Sequence, residues 1–319
     1  MLLEFEKPIA QLEEKLAAMK QKAAQKKASS LHPAIQKLEA EITALQHNTF
    51  QHLTRWQRVQ LSRHTDRPYT LDYIQHMTKQ FMMLHGDRTM ADDPAIVGGL
   101  GQIGTETLMI IGHQKGRNTK ERQARNFGMA NPAGYRKAQR LMRLAEKFNK
   151  PILTLIDTPG AYPGLEAEEH GQAQAIASNL QAMFTLRVPI LCIVIGEGAS
   201  GGALGIGIGD RVLMLENTWY SVISPATSSS LLWKSWEYKA QAAEELPLTA
   251  KDMLHHRLID GIIEEPPGGA PRNPQAMAAT LQHELLTQLQ ALRQLTPEQR
   301  IQQRTEKFCQ MGAIAGESQ

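Results

Sequence analysis

Gly196-Glu197-Gly198-Ala199-Ser200-Gly201-Gly202 is the stretch whose residue types and spacing best suit chemistry. It follows an apolar run, Pro189 to Ile195, that reads as a buried strand, and it leads into Ala203-Leu204, which reads as a helix start. A strand feeding a glycine turn and then a helix leaves main-chain N–H groups without partners. Those donors and the helix dipole both favour negative charge. Three chemistries use such a turn. Gly196-x-Gly198-x-x-Gly201 matches a dinucleotide fingerprint, with Glu216 as the downstream acid. Gly198-x-Ser200-x-Gly202 matches a nucleophile elbow. The N–H groups of Gly201 and Gly202 could instead form an oxyanion hole with no side chain taking part. A plain tight turn, glycine-rich because the chain packs closely there, is the bland alternative.

A second polar stretch runs from His113 to Gly128. Lys115, Arg117, Lys120, Arg122 and Arg125 face the single acid Glu121. It lacks the G-x-x-x-x-G-K-[ST] pattern and so is not a P-loop. It reads either as a solvated loop or as a lid facing phosphate or carboxylate. For the nucleophile elbow, Ser200 needs a histidine and an acid. His255 and His256, with Asp210 or Asp252, are the candidates, but both histidines fall in a predicted helix, Ala250 to Leu258.

The elements around these residues repeat. Ala95–Leu100 and Thr107–Ile111 read as two strands, Gly134–Lys147 as a helix and Pro151–Ile156 as a buried strand. Asp157-Thr158-Pro159-Gly160-Ala161-Tyr162-Pro163-Gly164 then makes a rigid turn, Glu168–Leu186 a helix, and Pro189 opens the next strand. Val212–Leu215 and Ser221-Val222-Ile223 supply a further layer. Between the glycine turn and Val212 lie only Gly202 to Asp210, about two helical turns, interrupted by Gly205, Gly207 and Gly209. A doubly wound crossover needs ten or more residues, so a spiral of β-β-α layers fits better and the dinucleotide reading ranks last. Ahead of this unit, Ile9, Leu12, Leu16 and Met19, then Leu38, Ile42 and Leu45, recur at helical spacing on either side of Ser29-Ser30 and Pro33. They predict an N-terminal helical hairpin, of the kind that packs on a neighbouring subunit. Lys20, Lys22, Lys26 and Lys27 cluster at its bend. The division expected is 1–65 helical, 66–280 the catalytic domain and 281–319 a C-terminal helical tail.

Composition bounds the class. The 319 residues carry a net charge of +3, too mild to argue for nucleic-acid binding, and the 42% hydrophobic share supports a sizeable core. Two cysteines, Cys192 and Cys309, suggest neither a disulfide framework nor a zinc ribbon. No signal pattern opens the chain and no run reaches the ~18 apolar residues of a membrane span, so a cytoplasmic, membrane-free protein is expected.

Several motifs together resemble one family: Gly112-His113-Gln114-Lys115-Gly116-Arg117, Asn126-Phe127-Gly128-Met129, Ile156 to Gly164, Gly196 to Leu204 without Ala199, Gly268-Gly269-Ala270-x-Arg272-Asn273-Pro274, and Arg67 to Tyr73. They are similar to the alpha subunit of bacterial acetyl-CoA carboxylase carboxyltransferase, over nearly the whole chain. The resemblance implies an α/β crotonase-like (ClpP/crotonase) β-β-α spiral. It implies transfer of a carboxyl group from carboxybiotin, on a separate biotin carboxyl carrier protein, to acetyl-CoA, giving malonyl-CoA for fatty acid synthesis. The implied partner is a zinc-binding beta subunit in an α2β2 assembly, with an ATP-using biotin carboxylase upstream and no metal in this chain. It implies that Gly201 and Gly202 hold the ureido oxygen of biotin as charge builds there, and that Gly160 and Ala161 line the same cleft. Gly198 and Ser200, in the same turn, are counted with the substrate-binding residues. Lys115, Arg117 and Lys120 are placed at the entrance on charge alone. After Ser221-Val222-Ile223-Ser224-Pro225 the family usually continues Glu-Gly-Cys-Ala, whereas this chain has Ala226-Thr227-Ser228-Ser229. The alternatives are a divergent crotonase-fold enzyme acting on CoA esters, a serine hydrolase using Ser200, and an inactive scaffold subunit.

Overall fold

The computed structural model describes residues 2–26 and 31–312. Helices α1 (Lys7–Lys26) and α2 (His32–Gln51) come first, followed by α3 (Arg55–Ser62) and α4 (Thr70–Met77). Strands β1 (Phe81–Met83), β2 (Ile96–Ile103) and β3 (Glu106–His113) lead to α5 (Thr119–Ala124) and α6 (Pro132–Lys147). Next are β4 (Ile152–Thr158), α7 (Leu165–Glu169), α8 (Gln172–Thr185), β5 (Ile190–Ala199) and α9 (Ser200–Leu204). β6 (Arg211–Leu215), β7 (Trp219–Ser221), α10 (Pro225–Trp233), α11 (Lys239–Glu245) and α12 (Ala250–His255) follow. The described part ends with β8 (Gly261–Ile263), α13 (Pro274–Arg293) and α14 (Pro297–Cys309).

The strands form one sheet in the order β1-β2-β3-β4-β5-β6-β8, with β7 pairing off the end of β5. β2 runs antiparallel to both β1 and β3, and every later pair is parallel. Each turn of the spiral therefore ends its strand on the same edge. That edge gathers the turns after β4 and β5.

β4 and β5 are buried along their whole length because helices cover both faces. Alternate residues sort between two cores, as the period of a strand requires. Ile190, Cys192 and Val194 pack with Leu141 and Met142 of α6 and Met183 of α8. Leu191, Ile193 and Ile195 pack with Tyr73 and Ile74 of α4 and with Leu281, Leu285 and Leu289 of α13. Each such side chain contributes roughly 1.5–3 kcal/mol by leaving water. The 280/281 boundary expected from sequence falls within α13, whose leucines belong to this core.

The N-terminal hairpin has a small core of its own, with Ile9, Leu38 and Ile42 buried and Leu12, Leu16, Met19 and Leu45 packed around them. Arg272 holds it to the main body through Glu13 at 2.6 Å. Ser29, Ser30 and Lys27 lie outside the described residues, and Pro33 sits in the first turn of α2, where its missing N–H costs nothing. Lys20 pairs with Glu39 at 2.7 Å across the hairpin.

Two expected helices differ. The helix expected over Glu168–Leu186 is broken into α7 and α8 at Gly171, whose φ of +79° is left-handed. The segment after the glycine turn is helical only over Ser200–Leu204. No helix among the described residues is long and apolar enough to cross a membrane.

Candidate active site

The turns after β4 and β5 meet because β4 and β5 pair up to Thr158 and Gly198, with a bulge between Ile156 and Thr158. Glycine is forced at several points. A Cβ on Gly196 would lie 2.3 Å from Asp157 Oδ1, and one on Gly202 would lie 2.4 Å from the Gly160 carbonyl carbon. A Cβ on Gly198 would meet the Tyr220 ring at 2.8 Å. The bland explanation is thus correct for these three. It fails for Gly201, where a Cβ would find nothing closer than Ile176 Cδ1 at 3.7 Å. The bare space over Gly201 belongs to a cleft of about 430 Å³. Gly160, Ala161, Ser200 and Gly201 all line it, together with Ser224 and Thr227 of the α10 cap.

The start of α9 leaves donors free. Neither the N–H of Gly201 nor that of Gly202 has an acceptor among the described residues, and no side chain caps the helix. Ser200 has φ +56°, an unusual conformation for a residue with a Cβ. The turn is braced from behind. Tyr135 Oη donates to the Gly202 carbonyl at 3.3 Å, and Asn179 Nδ2 donates to the Gly205 carbonyl at 2.9 Å. On the β4 side, the Gly160 N–H donates to Thr158 Oγ1 at 3.1 Å, and that hydroxyl donates to the Gly160 carbonyl at 2.6 Å.

A buried ion network ties the two turns together. Lys115 Nζ donates to Asp157 Oδ1 at 2.7 Å and to Glu197 Oε2 at 2.6 Å. Glu197 also accepts from Arg63 Nε at 2.6 Å, and its N–H donates to Asp157 Oδ1 at 2.9 Å. Burial opposes the Glu197 charge, but Lys115 and Arg63 win and hold its carboxyl down at about 2. Burial likewise disfavours the Lys115 ammonium, yet its two carboxylates hold it above the ordinary lysine range. Fully buried Arg67 anchors the N-terminal segment to the same strand end, donating to the Ile195 carbonyl at 2.6 Å and to Glu265 at 2.5 Å. Beside these, His113 is wholly buried and neither ring nitrogen makes a hydrogen bond among the described residues. Burial pushes its imidazole down to about 3, Lys115 acts in the same direction, and the Gly202 main chain opposes them.

The residues singled out from sequence divide accordingly. Gly160, Ala161, Ser200 and Gly201 share the cleft, while Gly202 lies behind Gly201 against Gly160 and Gly198 sits against Tyr220. Lys115 lies inside the ion network. Arg117 stacks on the Tyr69 ring, 4.1 Å from its centroid, pairs with Asp72 and donates to the Thr65 carbonyl at 2.7 Å. Lys120 is exposed on α5. Sequence reasoning missed Arg63, Arg67, Tyr135 and Asn179. Of these only Arg67 stood in a quoted motif.

The other chemistries are not assembled. Asp210 is committed to Arg304 at 2.8 Å and Asp252 to Arg55 at 2.7 Å. His255 and His256 are exposed and meet edge to face, and Ser200 makes no hydrogen bond to either among the described residues. A five-residue α9 is too short for a dinucleotide crossover helix.

Comparison with known proteins places the chain in a family. The family model described as acetyl co-enzyme A carboxylase carboxyltransferase-like matches residues 2–312. An acetyl-coenzyme A carboxylase carboxyl transferase subunit alpha of Chlorobium phaeovibrioides is 55% identical over 324 residues, covering 98% of this chain and 97% of that one. The chain belongs to the acetyl-CoA carboxylase carboxyltransferase alpha-subunit family. The corresponding subunit of Flavobacterium johnsoniae is 54% identical over 97% of this chain. Solved structures at lower identity show the fold. A Pseudomonas malonate decarboxylase heterodimer superposes at a TM-score of 0.59 with 15% identity, covering 76% of this chain and 96% of that one. The transcarboxylase 12S core superposes at 0.54 with 16% identity, covering 68% of this chain and 41% of that one. This alpha subunit therefore has the crotonase-like fold, with its helical hairpin added at the N-terminus.

Proposed function

We propose that this alpha subunit transfers a carboxyl group from carboxybiotin, delivered on a biotin carboxyl carrier protein, to acetyl-CoA, giving malonyl-CoA. It does so in the cytoplasm with a zinc-binding beta subunit, in an α2β2 assembly supplied by a separate biotin carboxylase. The observation that carries the reading is the pair of unpartnered N–H groups at Gly201 and Gly202, beside a cleft left open because Gly201 has no side chain.

Carboxybiotin supplies the carboxyl group and a ureido oxygen on which negative charge grows as the carboxyl leaves. The chain's part is to hold that oxygen with fixed main-chain donors. Each such donor contributes about 3 kcal/mol in comparable oxyanion holes. Tyr135 and Asn179 keep the carbonyls of the same turn occupied, so the amides do not fold inward. The Gly160-Ala161 turn forms the facing wall, and the buried Lys115 bridge fixes the spacing between the walls. Main-chain dipoles at the start of α9 can carry the charge of such a reaction without a side-chain base. The thioester of acetyl-CoA is held by the beta subunit across the shared interface.

The test is carboxyl transfer by the assembled alpha–beta enzyme with free biocytin. Gly201→Pro removes one donor within a first helical turn that tolerates proline, and Gly201→Ala keeps it. Gly201→Pro is expected to abolish turnover while melting and assembly stay near wild type. Retained turnover would falsify the role of the Gly201 donor.

A further inference from the structure

Pro159 has cavities on two sides. One is the cleft over Gly201. The other is a smaller cavity of about 180 Å³, lined by Arg63, Tyr69, Lys115, Arg122, Phe127 and Glu197. Three cations and one carboxylate face it, with Asp157 just behind. Both carboxylates are engaged. Glu197 is held by Arg63 and Lys115, and Asp157 by Lys115 and the Glu197 N–H. Lys115 is spent on both, but the two arginines are not used up in return. Arg122 donates from Nε to the Gly116 carbonyl at 3.1 Å, and its terminal amino groups make no hydrogen bond among the described residues. Arg63 spends Nε on Glu197 and lays its guanidinium on Trp219, 5.6 Å from the ring centroid, which also leaves its terminal amino groups without a hydrogen bond among the described residues.

The local charge is +1, from three cations and two carboxylates, and two guanidinium groups are held in place by other bonds. The half-exposed Phe127 ring adds an aromatic surface to the lining, carried on two consecutive left-handed residues, Asn126 and Phe127, with φ of +45° and +57°. Fixed guanidinium forks suit a doubly charged oxyanion, and an aromatic wall suits the flat group such an anion often carries.

We propose that this cavity binds a phosphate monoester between Arg63 and Arg122. The inference rests on the carboxyltransferase reading for its natural source. A phosphate seated here lies one proline away from the Gly201 cleft, and acetyl-CoA carries a phosphate monoester at the end remote from its thioester. Free phosphate is the other source of the same chemistry.

The experiment measures binding of inorganic phosphate, coenzyme A and dephospho-coenzyme A to the full chain by calorimetry, for wild type, Arg122→Ala and Arg122→Lys. The expected result is phosphate binding and a preference for coenzyme A over dephospho-coenzyme A of about tenfold or more, lost in Arg122→Ala and partly restored in Arg122→Lys. In the assembled enzyme, Arg122→Ala then raises KM for acetyl-CoA more than it lowers kcat. Phosphate binding that depends on Arg122, without discrimination between the two coenzymes, supports the site with free phosphate as its ligand. No phosphate binding and no discrimination overturns it. None of the binding measurements depends on turnover, so a failed oxyanion role for Gly201 leaves them readable.

Discussion

Gly202 and Gly160 touch main chain to main chain. A Cβ on Gly202 would stand 2.4 Å from the Gly160 carbonyl carbon and 2.5 Å from the Ala161 nitrogen. Backbone cannot swing aside as a side chain can, so Gly202→Ala must separate the two turns. It is expected to destabilise the chain by about 1–3 kcal/mol, as overpacking does, in urea unfolding. Gly201→Ala differs in kind. Its Cβ has room, and alanine in a helix is worth roughly 0.5–1 kcal/mol over glycine, so stability should hold or rise. The added methyl enters the cleft, and carboxyl transfer should fall. A Gly201→Ala enzyme that is both stable and fully active would show that the cleft is wider than the reaction needs.

Lys115 is expected to be structural before it is anything else. Lys115→Met leaves Asp157 without its cation and Glu197 with Arg63 alone, a change that costs about 3–5 kcal/mol when one partner of a buried pair is removed. Adding Glu197→Gln to Lys115→Met should recover part of the loss. Chemical denaturation of the two variants decides it. If the single variant unfolds at the wild-type denaturant concentration, the bridge does not join the turns.

Strand content was readable because β4, β5 and β6 are continuous apolar runs, and the β4 and β5 turns announce themselves in glycine and proline. The Lys115 bridge was not. Its members come from the ends of three separate strands, and nothing local marks Glu197 as a buried charge rather than a turn residue. Lys115 read as an entrance lysine on charge, yet only packing reveals that its charge is turned inward. The break at Gly171 was hidden for a related reason. A single glycine inside a helical pattern is tolerated often enough that only its left-handed φ shows the chain starting a new helix there. The crotonase-like fold and the cleft residues Gly160 and Gly201 were reached through motifs, while their bracing by Tyr135 and Asn179 depends on side chains meeting across helices.

His113 makes acid stability testable. Its folded pKa of about 3 lies below the ordinary 6.5. Below pH 6.5 the unfolded chain takes up a proton that the folded chain refuses, so stability falls as pH drops toward 3. The slope from this one group approaches about 1.4 kcal/mol per pH unit. Between pH 6.5 and 5, roughly, before carboxylates titrate, His113→Gln should unfold with a slope shallower by that amount. Unfolding curves at several pH values measure it, and equal slopes would mean that the ring takes its proton in the folded state.

The Ala226-Thr227-Ser228-Ser229 departure sits at the start of α10, and Thr227 lines the same cleft as Gly201. The helix cap uses the Thr227 N–H, which donates to Ser224 Oγ at 3.1 Å and which glycine would keep. Ala226→Glu with Thr227→Gly should therefore cost no more than about 1 kcal/mol of stability. It should lower KM for biocytin in the assembled enzyme by widening that wall. An unchanged KM and kcat would place the segment outside the reaction.

Glycines 196, 198 and 202 are each held against a different neighbour, namely a carboxylate, an aromatic ring and a carbonyl carbon. No single slip can loosen all three contacts. The cradle is consequently set during folding, and a carrier docking there, as the proposed function requires, would find its shape already made. If the proposed function holds, recognition of the biotinyl arm would carry little ordering entropy from this chain, and the carrier would come and go at each cycle without the subunit refolding around it.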